Sequence, residues 1–533
     1  MKYIVVTGGV ISGLGKGITT SSIGRLLISA GLKVVPIKID PYINCDAGTM
    51  NPFQHGEVFV LDDGGEVDLD LGNYERFMDV SLTKDDNITT GKVYLSVIER
   101  ERKGEYLGDT VQIIPHITGE IKHMIRSVGI KANADVVLIE VGGTVGDIES
   151  MPFLEALREL KMEVGDENIL FIHTTLIPVV GSVGEQKTKP TQRSVKELRS
   201  TGIQPAMIVA RGTMELDMKA KHKLKSFCEV AENAIFNAPD MDSIYDVPIH
   251  FEKQNMLSEI KEKLKLNTSE INSQKWDEWK AFVNRLKHAS NQISVAVIGK
   301  YTDLKDAYLS YNETFHHCSA ETDTKINVEF ISAEDIEKCD NLDTMLSKFN
   351  GILIPGGFGN RGTEGKIKAI EYARVNNRPF LGVCLGFQMA VIEYSRNVLG
   401  LKDANSTEFS TITEHPVIDL LPEQVGVTDK GATMRLGSHA IKIKEGSFAY
   451  NIYNKNKIYE RHRHRYEVNP EYIEKLEKHG LIFSATDIED KRMEICEIRD
   501  KKFFIATQFH PELKSRPMAP APVYLAFVKS MIQ

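Results

Sequence analysis

Apolar runs and helical repeats alternate along most of the chain. The first run, Ile4–Val6, is followed by Ile23, Leu26, Leu27 and Ala30 at helical spacing, which predicts a strand and then an amphipathic helix. Later apolar runs predict buried parallel strands, because strands covered on both faces are apolar throughout. These runs are 33–39, 135–141, 169–176 and 206–210, then a run that begins at Ile293, and 328–332, 351–355, 380–384 and 503–508.

The alternation is interrupted at the polar stretch 264–290. Within it Trp276, Trp279, Val283 and Leu286 form one apolar helical stripe. A chain of 533 residues is too long for one core. We therefore predict an α/β protein with two doubly wound domains and mainly parallel sheets, residues 1–265 and 293–533, joined by a linker helix within 266–292.

Composition narrows the class of protein. The hydrophobic fraction of 42% and the charged fraction of 26% are ordinary for a globular protein, and the net charge of −9 argues against a general nucleic-acid coat. The chain has no apolar run of the ~20 residues that span a membrane, and its N-terminus enters a strand without a signal-peptide pattern. We expect a cytoplasmic protein with neither nucleic acid nor membrane as a partner. Six scattered cysteines without a CxxC pair argue against a disulfide framework or structural zinc.

A glycine-rich loop follows the first strand. Residues 8–17 contain five glycines and end in Lys16-Gly17 at the start of the predicted helix. Glycines let backbone N–H groups approach an anion, the helix dipole favours negative charge, and Lys16 can reach terminal phosphates. The spacing differs from the standard P-loop, because Val10 and Gly17 occupy its glycine and hydroxyl positions. A simple tight turn is the alternative, but the lysine at the helix start favours a nucleotide site.

Acidic and basic side chains follow other strands of the first half. Asp68 and Asp70 would face one side of an extended segment, and Glu140 ends a strand where ligands of open sheets bind. Such carboxylates suit Mg²⁺ on a nucleotide, although solvated acids are the alternative. Asp147 and Glu149 also fit the start of a helix over 151–160. The basic, hydroxyl-rich stretch 187–193 suits a second phosphate chain, or is a solvated charge run.

The second half carries a candidate nucleophile. Cys384 follows an apolar strand and has Gly382 and Gly386 two residues away on each side, the cysteine form of a nucleophile elbow. His510 and Glu512 would face one side of an extended strand and supply the base and its orienting acid. His462 and His464 are competing bases in an Arg-rich segment. Gly356 and Gly357 can offer backbone N–H groups to an oxyanion.

These motifs resemble two known families. Gly-x-Cys-x-Gly at Cys384, PGGFG and the terminal HPE resemble the class I glutamine amidotransferases, which hydrolyse glutamine through a thioester. GGVISGLGKG, DPYIN, HGEVFV, DLDLGNYERF, EVGGTVGDIES and KTKPTQ are similar to the synthetase domain of CTP synthases, in that family's order. The resemblance spans essentially the whole chain. It implies a P-loop-like synthetase domain before a class I amidotransferase domain, and amination of UTP to CTP through a 4-phosphorylated intermediate, driven by ATP.

The resemblance also implies residue roles. ATP-binding positions are Gly13, Leu14, Gly15, Lys16, Gly17, Ile18, Lys38, Asp70 and Asp240, and the Mg²⁺ ligands are Asp70 and Glu140. The positions implied to bind UTP, or inhibitory CTP, are Ser12, Asp147, Ile148, Glu149, Lys187, Thr188, Lys189, Pro190, Thr191, Gln192 and Lys223. The positions implied to bind glutamine are Gly356, Gly357, Leu385, Gly386, Phe387, Gln388, Glu408 and Arg465. His55 and Val58 are implied to line the passage for ammonia.

The family implies GTP as an allosteric activator, CTP as a feedback inhibitor and a homotetramer. Two alternatives remain. Another glutamine-dependent ATP ligase, such as GMP synthetase, would release AMP and pyrophosphate instead of ADP and phosphate. A partition-type ATPase or filament scaffold with a decayed amidotransferase would show no turnover, but the intact Cys384, His510 and Glu512 set argues against decay.

Overall fold

A computed structural model describes residues 1–51, 55–181, 184–268, 271, 273–300, 305–424 and 431–532. They fall into two compact units. The first contains Met1–Ala47 and Asp70–Lys280, and the second contains Gly48–Leu69 and Ala281–Gln533. Mixed α/β units with large parallel sheets confirm the predicted fold class.

The first unit is built on a seven-stranded sheet whose strands are all parallel. Its apolar strands form the buried centre of the unit, as continuous β-branched runs predict. In spatial order the strands are Ile235–Pro239, Met207–Gly212, Ile169–Leu176, Lys2–Gly8, Val136–Val141, Val34–Asp40 and Asn87–Thr89.

The second unit is built on a nine-stranded mixed sheet. Five strands are parallel, and the four that follow are antiparallel. In spatial order they are Thr324–Ser332, Asn291–Gly299, Gly351–Ile354, Phe380–Val383, Phe504–Thr507, Met493–Glu497, Ile482–Asp487, Arg435–Ile443 and Lys457–His464. Core clusters cover both faces of this sheet. A small sheet joins Asn405–Ser406, Pro416–Leu420 and Tyr466–Val468.

Helices follow most of the parallel strands. In the first unit they are Lys16–Ser29, Thr90–Arg102, Thr118–Lys131, Met151–Val164, Lys189–Ser200, Met218–Cys228, Val247–Lys253 and Met256–Leu264. The helix Leu69–Met78 also belongs to this unit, except for its first residue, Leu69, which belongs to the second unit. In the second unit they are Leu309–Thr322, Ala333–Lys338, Leu342–Leu346, Thr363–Val375, Leu385–Asn397, Phe448–Tyr453, Pro470–Lys478 and Pro522–Ile532. Among the residues described, no helix is both long and apolar enough to cross a membrane.

The helix Ser273–Lys287 lies in the predicted linker stretch, of which residues 269, 270 and 272 are outside the described part. Its tryptophans are structural. Trp279 is fully buried in the first unit, where its indole N–H donates to the carbonyl of Tyr245 at 3.0 Å and Arg25 lies over the ring. The apolar stripe therefore packs, as an amphipathic helix should.

A short hairpin, residues 59–67, belongs to the second unit although the sequence places it in the first half of the chain. Its strands Phe59–Val60 and Glu66–Val67 are antiparallel, and the turn is closed by a 2.9 Å bond from the Leu61 N–H to the Gly65 carbonyl. Phe59 and Val60 are fully buried. Local pattern gave no expectation of this hairpin, because two-residue strands carry almost no periodic signal.

Candidate active site

A sharp turn presents Cys384 between the strand Phe380–Val383 and the helix Leu385–Asn397. Its backbone has φ 52° and ψ −99°, a conformation that a side-chain-bearing residue adopts only under strain. Glycines make the turn possible: a Cβ on Gly386 would lie 2.2 Å from the carbonyl oxygen of Ile354, and one on Gly382 would lie 2.8 Å from the Gly386 carbonyl. The strand-to-helix geometry is that of a nucleophile elbow.

His510 and Glu512 form a hydrogen-bonded pair. The His510 Nδ1 and Glu512 Oε1 atoms are 2.6 Å apart. The expected extended strand is wrong at this point, because the strand Phe504–Thr507 ends earlier and Glu512 lies in the 3₁₀ turn Pro511–Lys514. Proline after His510 starts the turn, and the turn brings the carboxylate back to the imidazole. Cys384, His510 and Glu512 line one cavity of about 410 Å³.

The electrostatics of the site favour the protonated form of His510. Burial lowers the pKa of His510, but the charge of Glu512 and hydrogen-bonded Cys384 outweigh it and raise that pKa to about 10. A protonated imidazole next to a cysteine is the arrangement found in enzymes that use cysteine as a nucleophile. Burial instead raises the pKa of the Cys318 and Cys496 thiols, which stay protonated core residues.

Two backbone N–H groups adjoin Cys384, because Gly357 lines its cavity and Leu385 follows it in the chain. Gly357 and Leu385 approach one another, since a Cβ on Gly357 would lie 3.5 Å from a Leu385 methyl group. Among the described residues neither N–H finds a hydrogen-bond acceptor. The N–H of Gly356 is different, because it donates to the Tyr311 hydroxyl at 2.9 Å. Gly357 and Leu385 are therefore the donors available to an oxyanion.

The predicted glutamine positions are only partly brought together. Gly356, Gly357 and Arg465 line the cavity with Cys384, whereas Phe387, Gln388 and Glu408 do not. Gln388 is buried and donates to the Tyr466 carbonyl at 2.9 Å, and Phe387 packs in the core. Glu408 accepts from the Gly359 N–H at 2.7 Å and so holds the PGGFG loop. Leu385 and Gly386 are buried in the elbow.

The competing histidines serve another buried cluster. The His462 Nε2 and Glu494 Oε2 atoms are 2.8 Å apart, and Arg435 also pairs with Glu494 at 2.7 Å. Burial lowers the pKa of His462 and of His464. Neither histidine lines the cavity of Cys384, so the geometry favours His510 as the base.

Sequence reasoning missed several side chains of this cavity. Tyr311, Glu57 and Arg463 line it together with Val58, whereas His55 is exposed outside it. The part of Val58 and His55 in ammonia passage stays a prediction. Arg463 had a signal, since Arg461 and Arg463 stand two residues apart in one strand and share one face. Glu57 had none, because its contact with Ser310, at 2.9 Å from the Ser310 N–H, joins residues 253 apart.

The glycine loop of the first unit opens onto Lys16. Gly13 and Gly15 have φ of 72° and 77°, and the helix begins at Lys16. A Cβ on Gly17 would lie 1.9 Å from a carboxylate oxygen of Asp70, so glycine permits the close approach. The Lys16 ammonium donates to the Gly143 carbonyl at 2.7 Å, and burial lowers its pKa. Ser12 is exposed at the loop's tip, and Leu14 is buried.

Two carboxylates converge on one ammonium group in this unit. Lys38 pairs with Glu140 at 2.8 Å and also with Asp70, because Lys38 and Glu140 stand opposite each other in adjacent parallel strands. The Tyr74 hydroxyl donates to the other oxygen of Glu140. Burial raises the pKa of Glu140. Asp70 lies in the helix Leu69–Met78 and not in an extended segment. The prediction that Asp68 and Asp70 point to the same side of an extended chain is therefore wrong.

A second cavity lies beside the glycine loop. It measures about 230 Å³ and is lined by Gly15, Ile18 and Asp240 among others, so three predicted ATP positions meet there. Arg211, which the sequence did not single out, pairs with Asp240 at 2.9 Å and lines the same cavity.

The remaining predicted nucleotide positions lie in two segments. Asp147, Ile148 and Glu149 are exposed, and Asp147 accepts from the Thr144 N–H at 2.8 Å. Lys187 and Thr188 precede the helix Lys189–Ser200, which has Pro190 in its first turn. Thr191 donates to the Leu176 carbonyl at 3.0 Å, and Gln192 donates to the Thr188 hydroxyl at 3.0 Å. Lys223 lies on the helix Met218–Cys228.

Comparison with known proteins extends this picture. A model of the CTP synthase N-terminus matches residues 2–266, and a model of class I glutamine amidotransferases matches 303–530. The CTP synthase of Archaeoglobus fulgidus is 56% identical over 100% of this chain and 99% of that protein, and that of Pyrococcus furiosus is 56% identical over 99% and 97%. The solved glutaminase domain of Trypanosoma brucei CTPS with bound acivicin is 42% identical, with a TM-score of 0.42 over 45% of this chain and 94% of that one.

Fold, elbow and family matches define a ligase that carries a class I glutamine amidotransferase domain. Identity over the full length makes the assignment more specific. The chain belongs to the CTP synthase family, whose reaction is the ATP-driven conversion of UTP to CTP with glutamine as the nitrogen source. This confirms the family and reaction expected from the motifs, and the GMP synthetase alternative is not favoured.

Proposed function

We propose that glutamine is hydrolysed at Cys384 and that UTP is activated and aminated at the cluster of Lys16, Lys38, Asp70 and Glu140. The observation that carries this division is the cavity in which Cys384 lies with the paired His510 and Glu512. The cluster around Lys38 supports the second site, because it gathers two ammonium groups and two carboxylates from two strands and two helices of the first unit.

In the first step the Cys384 thiolate attacks the side-chain carbonyl carbon of glutamine. A C–S bond forms, the C–N bond breaks, and His510 gives its proton to the departing nitrogen, which leaves as ammonia. The Gly357 and Leu385 N–H groups stabilise the oxyanion, usually the largest catalytic contribution. Water then adds to the thioester and gives a proton to His510, which releases glutamate and regenerates the thiolate.

In the second step the 4-oxygen of UTP takes the γ-phosphoryl group of ATP, and ammonia displaces phosphate at C4. Lys16 and Lys38 bind the phosphates and offset their charge. Asp70 and Glu140 fit Mg²⁺ by their chemistry, since hard carboxylate oxygens already converge there on a cation. When bound, that ion would neutralise phosphate charge. The cavity beside Asp240 suits the adenosine end of ATP.

Other roles implied by the family remain part of the proposal. UTP or inhibitory CTP would contact the segments 147–149 and 187–192 with Ser12 and Lys223, and ammonia would pass His55 and Val58. GTP would activate glutamine hydrolysis, and the enzyme would form homotetramers. We place it in the cytoplasm, where ATP and UTP are available. The synthetase and amidotransferase roles are assigned to 1–265 and 293–533, which the matched ranges support.

The test is CTP formation from UTP, ATP and Mg²⁺, supplied with glutamine or with ammonium. We expect Cys384→Ala to lose synthesis from glutamine and to retain synthesis from ammonium. Cys339→Ala, a partly exposed cysteine of the same unit, is the matched control and should keep both. Glutamine-driven synthesis by Cys384→Ala would overturn the nucleophile assignment. Absence of CTP from wild type with either nitrogen source, even with GTP, would overturn the synthetase assignment.

A further inference from the structure

The strand Lys457–His464 contacts the nucleophile and the base through its backbone. The Arg461 carbonyl accepts the backbone N–H of His510 at 2.8 Å, and the Arg463 carbonyl lies 3.6 Å from the Cys384 sulfur. Because alternate residues of a strand share a face, Arg461 and Arg463 also send their side chains to the same side. What holds those two side chains therefore bears on the geometry of the catalytic pair.

Both arginine side chains are held by carboxylates of the hairpin, residues 59–67. The Arg461 Nε atom is 2.7 Å from Asp62 Oδ1, and the Arg463 Nε atom is 2.7 Å from Glu66 Oε1. Arg461 is fully buried and Glu66 is 3% exposed. Removing either carboxylate would leave an arginine side chain with an uncompensated charge in a buried place, which the strand would have to shift to relieve.

Further contacts tie the same two arginines to the cavity wall. Arg463 donates to the Gly48 carbonyl at 3.1 Å and lies over the ring of Phe358, next to the oxyanion donor Gly357. Arg461 lies over the ring of Phe59. The hairpin turn is itself fixed, since the Ser438 N–H donates to the Asp62 carbonyl at 2.9 Å.

We infer that Asp62 and Glu66 are positioning residues for glutamine hydrolysis: through Arg461 and Arg463 they set the position of the strand that contacts His510 and Cys384. The inference rests on the proposed function of Cys384. It assigns to two acids of the matched synthetase range, 2–266, a role in the amidotransferase reaction. Neither acid touches the reacting atoms.

The test compares Glu66→Gln and Asp62→Asn with wild type in the full-length enzyme. Both changes keep side-chain shape and remove the charge. We expect the kcat of glutamine hydrolysis to fall about tenfold with KM changed less than threefold, because small misplacement of a catalytic group lowers rate more than binding. CTP synthesis from ammonium should stay within twofold of wild type. Glu329→Gln, which breaks an exposed 2.9 Å pair with Lys348 in the same unit, is the control and should change neither reaction.

A second readout separates positioning from general destabilisation. Iodoacetamide alkylation of Cys384, followed by mass spectrometry of its peptide against pH, reports the thiolate–imidazolium pair without turnover. We expect the neutral-pH rate to fall about tenfold in Glu66→Gln and Asp62→Asn. If Glu66→Gln does not fold, the partly exposed Asp62 still gives a usable variant.

Three results would overturn the inference. They are glutamine hydrolysis and alkylation within twofold of wild type in both variants, an equal loss in Glu329→Gln, and a loss of ammonium-dependent synthesis as large as that of glutamine hydrolysis. Failure of the proposed function looks different. In that case wild type itself would not hydrolyse glutamine, while the alkylation comparison would still decide whether the hairpin acids position Cys384.

Discussion

Replacing Glu512 by glutamine tests the electrostatic account of the proposed nucleophile Cys384 and its base. The change keeps the size of the side chain and removes the charge whose oxygen lies 2.6 Å from His510 Nδ1. Burial lowers the pKa of His510, and Glu512 with Cys384 outweighs it, so that the pKa rises from 6.5 to about 10. Glutamine at 512 should therefore lower the pKa of His510.

The size of the effect follows from that rise of about 3.5 pH units, which corresponds to roughly 5 kcal/mol at 1.36 kcal/mol per unit. If Glu512 supplies about half of it, the imidazolium loses roughly 2–3 kcal/mol of stabilisation, and the ratio of imidazolium to neutral imidazole at a given pH falls about 30-fold to 150-fold. Because a pKa about two units lower still leaves His510 mostly protonated at neutral pH, we expect the kcat of glutamine hydrolysis to fall by a similar factor only near pH 10 and above, with ammonium-dependent CTP synthesis unchanged.

The assay is the pH profile of glutamine hydrolysis. His510 must be protonated to release ammonia, so wild-type activity should fall on the alkaline side as the histidine loses its proton. In Glu512→Gln this limb should move about two pH units towards acid, as a property of the coupled cysteine–histidine pair. Glu423→Gln, which breaks a partly exposed pair with Arg492, is the control. An alkaline limb that does not move, with activity near pH 10 within threefold of wild type, would refute the reasoning.

Two further predictions concern the glycine loop and the elbow. Lys16→Ala should abolish CTP formation from glutamine and from ammonium alike, because phosphates lose their buried cation; retention of ammonium-dependent synthesis would contradict the assignment. Gly386→Ala should lower the free energy of unfolding by about 1–3 kcal/mol, and with it the thermal midpoint, because its Cβ would lie 2.2 Å from the Ile354 carbonyl oxygen. An unchanged midpoint in calorimetry would contradict this, because it would mean that the turn adjusts to the added methyl group without cost.

The sequence predicted the parallel strands well. Runs such as 169–176 and 351–355 correspond to Ile169–Leu176 and Gly351–Ile354, because a strand buried on both faces leaves a continuous apolar record. The elbow was also predictable from Cys384 and its flanking glycines, since the turn itself demands them. Such features depend on residues that are neighbours in the sequence, so the sequence alone is enough to predict them.

Features that depend on distant contacts were not predictable in the same way. His510 and Glu512 meet through a 3₁₀ turn started by Pro511, not through an extended strand. Asp70 reaches Lys38 from a helix. The ion pair of Asp62 with Arg461 joins residues 399 apart, and no periodicity within either segment records its partner.

The membership of the hairpin in the second compact unit has a consequence for dissecting this enzyme into halves. A fragment that starts near residue 293, where the sequence suggests a boundary, would lack Asp62 and Glu66 and so would lose the carboxylates that pair with Arg461 and Arg463. It would also lose Val58 and Val60 from the wall of the glutaminase cavity. Rates measured on such a fragment would describe an incomplete site, and supplying residues 48–69 in trans or by grafting would be the means of restoring it.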